Sequence, residues 1–319
     1  MISFKNVTKK YGEDNLAVDS ISFTVRQGEF FVLIGPSGSG KTTTLKMMNR
    51  LIPLTEGTIS IDGKNINDYN IHELRWNMGY VLQQIALFPH MSIEENIAVV
   101  PELKQWKKEK IRKRVTELLE MVGLDPDSYR NRMPHELSGG EQQRVGVVRA
   151  LSADPDIILM DEPFSALDPI SREKLQEDMI RLKKAIHKTV VFVTHDIREA
   201  IKLGGRICLM NEGKIVQLGT PEQLLNRPAN DFVRNFVGGA NSTDSGFDLE
   251  QYIRPSAEST VQPGPSISAS ATLEEVLHQL ARYEQLSVEK DGERIGFVDR
   301  QKIIEYFSLK TTEGGRDRE

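Results

Sequence analysis

The stretch "GPSGSGKTT", Gly35 to Thr43, follows the unbroken apolar run "FFVLI" and precedes the helical pattern "TTTLKMMNRL". Few local signals constrain a fold as tightly as G-x-x-x-x-G-K-[ST] between a strand and a helix. Gly35 and Gly40 let backbone N–H groups turn inward on phosphates, with Pro36, Ser37, Gly38 and Ser39 completing the loop. Lys41 reaches the β and γ oxygens, and the Thr42 hydroxyl is placed to ligate Mg²⁺. The bland alternative is an ordinary glycine-rich turn, which the strand before it and the helix after it disfavour.

Further apolar runs of the same kind alternate with helical patterns: "IILMDE" from Ile157, "TVVFVTH" from Thr189 and "RICLM" from Arg206. Runs this continuous predict strands of a parallel sheet covered on both faces, and the fold class is α/β. Alternating residues before Gly35 and in "GTISIDGKNI", with an Asp62-Gly63 turn, predict antiparallel hairpins beside that sheet. From about Thr116 to Leu151 the pattern is helical and reads as a separate lobe.

Asp161 and Glu162 emerge at the carboxyl end of a buried strand, where such sheets bind ligands. The expected division of work has Asp161 holding Mg²⁺ and Glu162 polarising the attacking water. His195 ends a third strand on the same sheet edge, within reach of a γ-phosphate. Tyr11 is read two ways, as an aromatic stacking on adenine or as a strand-end residue covering core. A second glycine pair, Gly139-Gly140 in "LSGGEQQRV", opens a run of helix formers and forms another ready anion site.

The 319 residues leave room for about two domains. With 46 acidic against 41 basic residues the balance argues against a nucleic-acid partner. The single cysteine, Cys208, lies in an apolar run and reads as a buried thiol. The start "MISFKNVTKKYG" lacks the apolar core of a signal peptide, and no apolar run approaches the roughly 20 residues that span a bilayer. A membrane role is therefore expected to come through a partner.

In order, these motifs resemble the ATPase subunits of ABC transporters across roughly residues 2 to 237. The resemblance implies ATP and Mg²⁺ as cofactors and a P-loop NTPase with a RecA-like parallel-sheet core, an antiparallel β subdomain and a helical subdomain. By motif it assigns Tyr11 as the adenine-stacking aromatic, Gly35 to Thr43 as Walker A and Gln83 as the Q-loop residue, at the metal or the water. Ser138, Gly139, Gly140, Glu141 and Gln142 match the signature. Asp161 and Glu162 match Walker B with its catalytic carboxylate, Ser165 to Asp168 the D-loop, and His195 the switch histidine. In this family two subunits pack head to tail, so the signature of one closes on the ATP held by the other. The second glycine pair would thus serve the partner's nucleotide.

"GYVLQQIALFPHMSIEENIAVVPEL" and "PHELSGGEQQRVGVVRAL" look like the ATPases of osmoprotectant importers, which carry glycine betaine, carnitine, choline or related quaternary amines. The implied partners are a second copy of the chain, separate transmembrane permease subunits and, indirectly, a substrate-binding protein. The implied location is peripheral, at the cytoplasmic face of the plasma membrane. Export, or an ATPase of this fold acting on nucleic acid or ribosomes, is the alternative; no long coiled-coil insertion or second fused ATPase favours the latter. A non-hydrolysing regulatory module is disfavoured by Glu162 and His195.

The expected organisation is an ATPase domain over 1–239, a Gly/Ser/Pro-rich linker over 240–265, one CBS-like motif over 266–310 and a disordered tail over 311–319. In the motif, Thr272 and Glu275 form a capping-box pattern, Leu273, Val276, Leu277 and Leu280 make one apolar helix face, and Asp291-Gly292 turns a hairpin. Asp299 and Lys302 stand where nucleotide-binding CBS motifs usually place Ser/Thr and Asp. The basic run "KQWKKEKIRKR", Lys104 to Arg114, reads as a solvated helix face, with contact to anionic headgroups as the sharper alternative.

Overall fold

The computed structural model describes residues 1–12, 15–185, 188–241, 249–254, 264–269, 271, 273–290 and 293–305. Its strands are β1 (Ile2–Tyr11), β2 (Asn15–Val25), β3 (Phe30–Ile34), β4 (Glu56–Ile61), β5 (Lys64–Asn65), β6 (Met78–Val81), β7 (Ile157–Asp161), β8 (Thr189–Thr194), β9 (Arg206–Asn211), β10 (Lys214–Gly219), β11 (Ser266–Ser268), β12 (Gln285–Lys290) and β13 (Glu293–Asp299). The helices are α1 (Lys41–Met48), α2 (Ile71–Trp76), α3 (Ile93–Leu103), α4 (Lys108–Met121), α5 (Pro126–Tyr129), α6 (Gly139–Leu151), α7 (Pro169–Ala185), α8 (Ile197–Leu203), α9 (Pro221–Asn226), α10 (Asp231–Asn241) and α11 (Leu273–Leu280). The chain divides into two compact units, Met1–Phe236 and Val237–Glu319.

In the first unit every residue of β3, β7 and β8 is buried, as continuous apolar runs on a doubly covered sheet require. They sit inside a sheet ordered β10-β9-β3-β8-β7-β6, parallel throughout except that β10 returns antiparallel along β9. A second sheet, β2-β1-β4-β5, is antiparallel. Its β4–β5 hairpin closes at Asp62 (φ 49°) and Gly63 (φ 81°), between the paired Ile61 and Lys64. Positive φ at both central residues gives the turn whose twist matches its flanking strands. Phe23 of β2 stacks at 4.4 Å on Phe4 of β1 and at 5.3 Å on Phe31 of β3, joining the two sheets in one core. Cys208 is buried in that core, and burial pushes its thiol up to about 12.

The helical lobe begins earlier than the expected Thr116. α3 starts at Ile93 behind a reciprocal cap in which the Ser92 N–H donates to Glu95 Oε2 at 2.7 Å, and α3, α4 and α6 pack together. Pro101 in the last turn of α3 and the basic residues that follow interrupt the apolar period there. Lys107, Lys108, Lys110, Arg112 and Lys113 are exposed, while Ile111, Val115, Leu118 and Leu119 of α4 face the core. That partition fits the solvated-face reading of the basic run.

In the second unit β11 runs parallel to β12, and β12 antiparallel to β13. Leu273, Val276 and Leu280 of α11 pack in its core with Leu286, Val288 and Val298. Leu277, expected on the same face, is instead 40 % exposed, since only one side of this short helix is covered. Thr272, the Asp291-Gly292 turn, most of the expected linker and the 311–319 tail lie outside the described residues.

Candidate functional site

β3 ends at Ile34, in register with Thr194 of β8, while Asp161 of β7 lies opposite Val193. One edge of the parallel sheet therefore presents the 35–43 loop, Asp161 with Glu162, and His195 side by side at the carboxyl ends of their strands.

The loop admits only glycine at two points. A Cβ on Gly35 (φ 153°) would stand 2.1 Å from the Met210 carbonyl oxygen, and one on Gly40 (φ 96°) 2.5 Å from that of Ala17. Lys41 opens α1, and its Nζ donates to the carbonyl oxygens of Gly35 and Pro36 at 2.8 Å each. Burial lowers its pKa, opposed by the carboxylates of Glu162 and Asp161. Ser39 is 2 % exposed, and its hydroxyl has no hydrogen-bond partner. An orphaned buried donor beside a lysine and a glycine-only backbone fits a phosphate chain.

The Thr42 hydroxyl donates to Asp161 Oδ1 at 2.8 Å, and Tyr80 reaches Oδ2 of the same carboxylate at 3.4 Å. Asp161 is buried at the strand end. Among the described residues no group of three or more His, Cys, Asp or Glu forms a metal cage. One hydroxyl beside one carboxylate is a donor set that suits Mg²⁺, which keeps waters and phosphate oxygens in its shell.

Glu162 adopts φ 45°, left-handed backbone that costs a non-glycine residue on the order of 1 kcal/mol. Its N–H donates to the Val193 carbonyl oxygen at 3.0 Å, which holds the turn against β8. Its Oε2 lies 3.1 Å from His195 Nδ1 and 3.5 Å from Gln83 Nε2. Two residues from separate stretches of sequence thus converge on one carboxylate. Tyr11, at the end of β1, is 42 % exposed with Lys9 Nζ 4.8 Å from its ring centre, so it does not cover core.

Ser138 caps α6. Its N–H donates to Glu141 Oε2 at 2.8 Å, its hydroxyl contacts the same oxygen at 2.8 Å, and the Tyr129 hydroxyl donates to Glu141 Oε1 at 2.6 Å. The Tyr129 bond leads the effects that hold the Glu141 carboxyl down to about 2. Space beside Gly139 is open, whereas a Cβ on Gly140 would stand 2.7 Å from the Ser171 hydroxyl in the first turn of α7. Asp168 caps that helix through the N–H groups of Ile170 and Ser171 at 3.1 and 3.0 Å, and the Ser171 bonds lower its pKa. Among the described residues no hydrogen bond joins the Ser138–Glu141 turn to Lys41, Asp161, Glu162 or His195.

Tyr80 and Tyr129 were not singled out from the sequence. Tyr80 meets Asp161 only because β6 pairs with β7, placing Tyr80 opposite Leu159. A further feature of the unit is an apolar cavity of about 450 Å³ lined by Trp76, Leu82, Phe88, Val99, Val100 and Arg149, among others. Phe88 is 41 % exposed, and Arg149 lies over its ring at 5.8 Å while donating to the Ala86 carbonyl oxygen at 2.7 Å. No described helix is long and apolar enough to cross a membrane.

A family profile described as "ABC transporter" matches residues 18–165. The glycine betaine/carnitine/choline transport ATP-binding protein OpuCA of Bacillus subtilis (strain 168) is 48 % identical over 96 % of this chain and 78 % of its own length. The osmoprotectant import ATP-binding protein OsmV of Salmonella typhimurium (strain LT2) is 45 % identical over 95 % of this chain and 80 % of its own length. Among solved structures, a dimeric ATP-binding cassette in a post-hydrolysis state, bound to ADP and Pi, is similar at TM-score 0.62 and 37 % identity, covering 69 % of this chain and 99 % of that one. With this likeness running through the phosphate loop and the strand-end acids, the chain belongs to the ABC transporter family as one of its ATP-binding, ATP-hydrolysing subunits.

Proposed function

We propose that this subunit powers uptake of a betaine-like quaternary ammonium solute through separate permease subunits, working as a head-to-tail pair of identical ATPases at the cytoplasmic face of the plasma membrane. The solute class is supported by relatives named for glycine betaine, carnitine and choline transport. The pairing is supported by similar cassettes solved as dimers. An ATPase of another transport system is the runner-up.

The observation that carries the chemistry is the convergence of Gln83 and His195 on Glu162. In this reading Gly35 to Thr43 wrap the triphosphate, and Lys41 exchanges its two carbonyl bonds for phosphate oxygens. Tyr11 offers its exposed ring to adenine. Mg²⁺, when bound, screens the β- and γ-phosphate charge. Thr42 and Asp161 would hold it, and Gln83 would complete its ligands or orient water. Glu162 accepts a proton from the attacking water, and His195 keeps that carboxylate aligned and faces the γ-phosphate. Ser138, Gly139, Gly140 and Glu141, with Asp168 on the neighbouring turn, meet the nucleotide held by the partner copy.

The cavity beside Phe88 is read as the seat of a permease segment: it is apolar, open and rimmed by an exposed aromatic. Met91, three residues after Phe88, does not line it. The limits 1–239, 240–265, 266–310 and 311–319 are a proposal, to be set beside a unit boundary at 236/237 and a Leu249 that packs in the second unit's core; the third segment is read as a single CBS-like motif that acts as a scaffold or charge-based regulator. Its Asp299 pairs with Arg254 at 3.4 Å and accepts from the Lys302 N–H at 2.9 Å, while Lys302 Nζ pairs with Glu305 at 2.6 Å. Groups already engaged with one another this way support a role other than binding an adenine nucleotide.

The test is uptake of radiolabelled glycine betaine, choline and carnitine by cells in which this subunit and its permease are the sole osmoprotectant route. ATP-dependent accumulation of at least one is expected. Transport of an unrelated solute with none of the three taken up would overturn the solute class.

A further inference from the structure

Thr194, the last residue of β8, is 1 % exposed, and its hydroxyl has two partners. It accepts from the Asp196 N–H at 3.0 Å, and it donates to Oε2 of Glu199 on α8. The first bond bridges the residues on either side of His195, so one hydroxyl fixes the backbone from which that imidazole projects. Glu199, 6 % exposed, fixes the hydroxyl. Its other oxygen, Oε1, lies 3.4 Å from Gln176 Nε2 on α7. Lys202 Nζ donates to Gln176 Oε1 at 3.0 Å; because an ammonium only donates, the amide must turn its NH₂ toward Glu199. Arg172, one helical turn before Gln176, donates to the Leu167 carbonyl oxygen at 3.1 Å in the loop that follows Glu162. A carboxylate is costly to bury, and this one is retained where an apolar side chain would pack without that cost.

We infer that Glu199 is a positioning residue: through Thr194 it sets the direction of His195 toward Glu162, and through Gln176 it braces that turn against the helix following the Ser165–Asp168 loop. The inference rests on the reading of His195 given above.

The experiment is steady-state ATP turnover by the purified full-length chain carrying Glu199→Ala, Glu199→Gln, Thr194→Val, His195→Ala and the double change Glu199→Ala/His195→Ala. Misplacing a group near the reacting atoms costs between about tenfold and a hundredfold in rate. Glu199→Ala and Thr194→Val should lower kcat by that much with KM for ATP within about twofold. Glu199→Gln, which keeps the shape and an acceptor, should recover most of the rate. In the His195→Ala background Glu199→Ala should cost nothing more, since its effect passes through the imidazole. Full turnover in both Glu199→Ala and Thr194→Val, or losses that multiply in the double variant, would overturn the inference while leaving His195 in its role. Where Glu199→Ala fails to fold, Thr194→Val carries the same comparison. Wild-type turnover by His195→Ala would instead overturn the reading of His195, and this inference with it.

Discussion

The Nδ1 atom of His195 stands 3.1 Å from Oε2 of Glu162, across the gap between the ends of the neighbouring strands β8 and β7. The contact depends on a backbone that Glu162 enters at φ 45°, held by its N–H bond to Val193. An unfavourable conformation kept at such a point is what a site needs in order to aim a carboxylate away from its strand.

From this geometry, Glu162→Gln should keep Mg-ATP binding and lose most turnover, because the amide preserves shape and cannot take a proton. General-base removal of this kind costs between about a hundredfold and ten-thousandfold. Equilibrium ATP binding and phosphate release, measured on the same preparation, separate the two effects, and an ATP-bound dimer should accumulate on size exclusion. Turnover at the wild-type rate would remove Glu162 from the base role.

In the head-to-tail pairing proposed above, the Ser138 turn of one copy meets the nucleotide held by the Lys41 loop of the other; among the described residues the two share no hydrogen bond within one chain. Mixing Ser138→Arg subunits with Lys41→Ala subunits should therefore recover ATP turnover, since both defects can fall on one site and leave the other whole. Subunit exchange followed by fluorescence transfer establishes that mixed dimers form. Mixed dimers with no activity would mean that the signature serves its own chain's nucleotide or that both sites must fire together.

What the sequence made legible here is local. The 35–43 loop, the acids after "IILM" and the histidine after "VVFVT" each announce themselves because a strand-end position follows directly from an unbroken apolar run. That they share one sheet edge depends on the order β3-β8-β7, which residue spacing alone does not fix. Gln83, Tyr80 and Tyr129 illustrate the remainder. Gln83, which the family resemblance alone pointed to, and Tyr80 meet acids 79 and 81 residues along the chain, Tyr129 meets one 12 residues on across a turn, and nothing in "GYVLQQ" or "DSYRNR" by itself encodes those pairings. The early start of the helical lobe was hidden for a different reason: Pro101 and the lysines after it break the period that would have marked α3 and α4 as neighbours.

Phe88 is exposed at the rim of the 450 Å³ apolar cavity, not packed in the lobe's core. Phe88→Asp should accordingly leave folding and basal ATP turnover near wild type while reducing solute uptake at least about tenfold, as loss of a buried aromatic anchor does at other interfaces. Co-purification with the permease, read beside uptake, checks the cause. A variant that retains full transport would exclude this cavity as the docking seat.

Tyr129 and Glu141 give a pH signature. The Tyr129 hydrogen bond is the first cause of a Glu141 carboxyl held at about 2 against an ordinary 4.5. A depressed carboxyl contributes stability above its unfolded pKa and loses that contribution as pH falls through the folded one. Tyr129→Phe lets the folded pKa rise toward 4.5, so the variant's deficit should be complete at neutral pH and shrink between about pH 4.5 and pH 2. Its size at pH 7 should be about 1 kcal/mol, the usual net worth of one hydrogen bond on a partly solvated carboxylate. Urea midpoints of wild type and variant at pH 7 and pH 3 measure it. An equal deficit at both pH values would mean that Tyr129 stabilises the signature turn by packing, for instance through the Arg132 guanidinium 4.3 Å above its ring, and not through the Glu141 carboxylate.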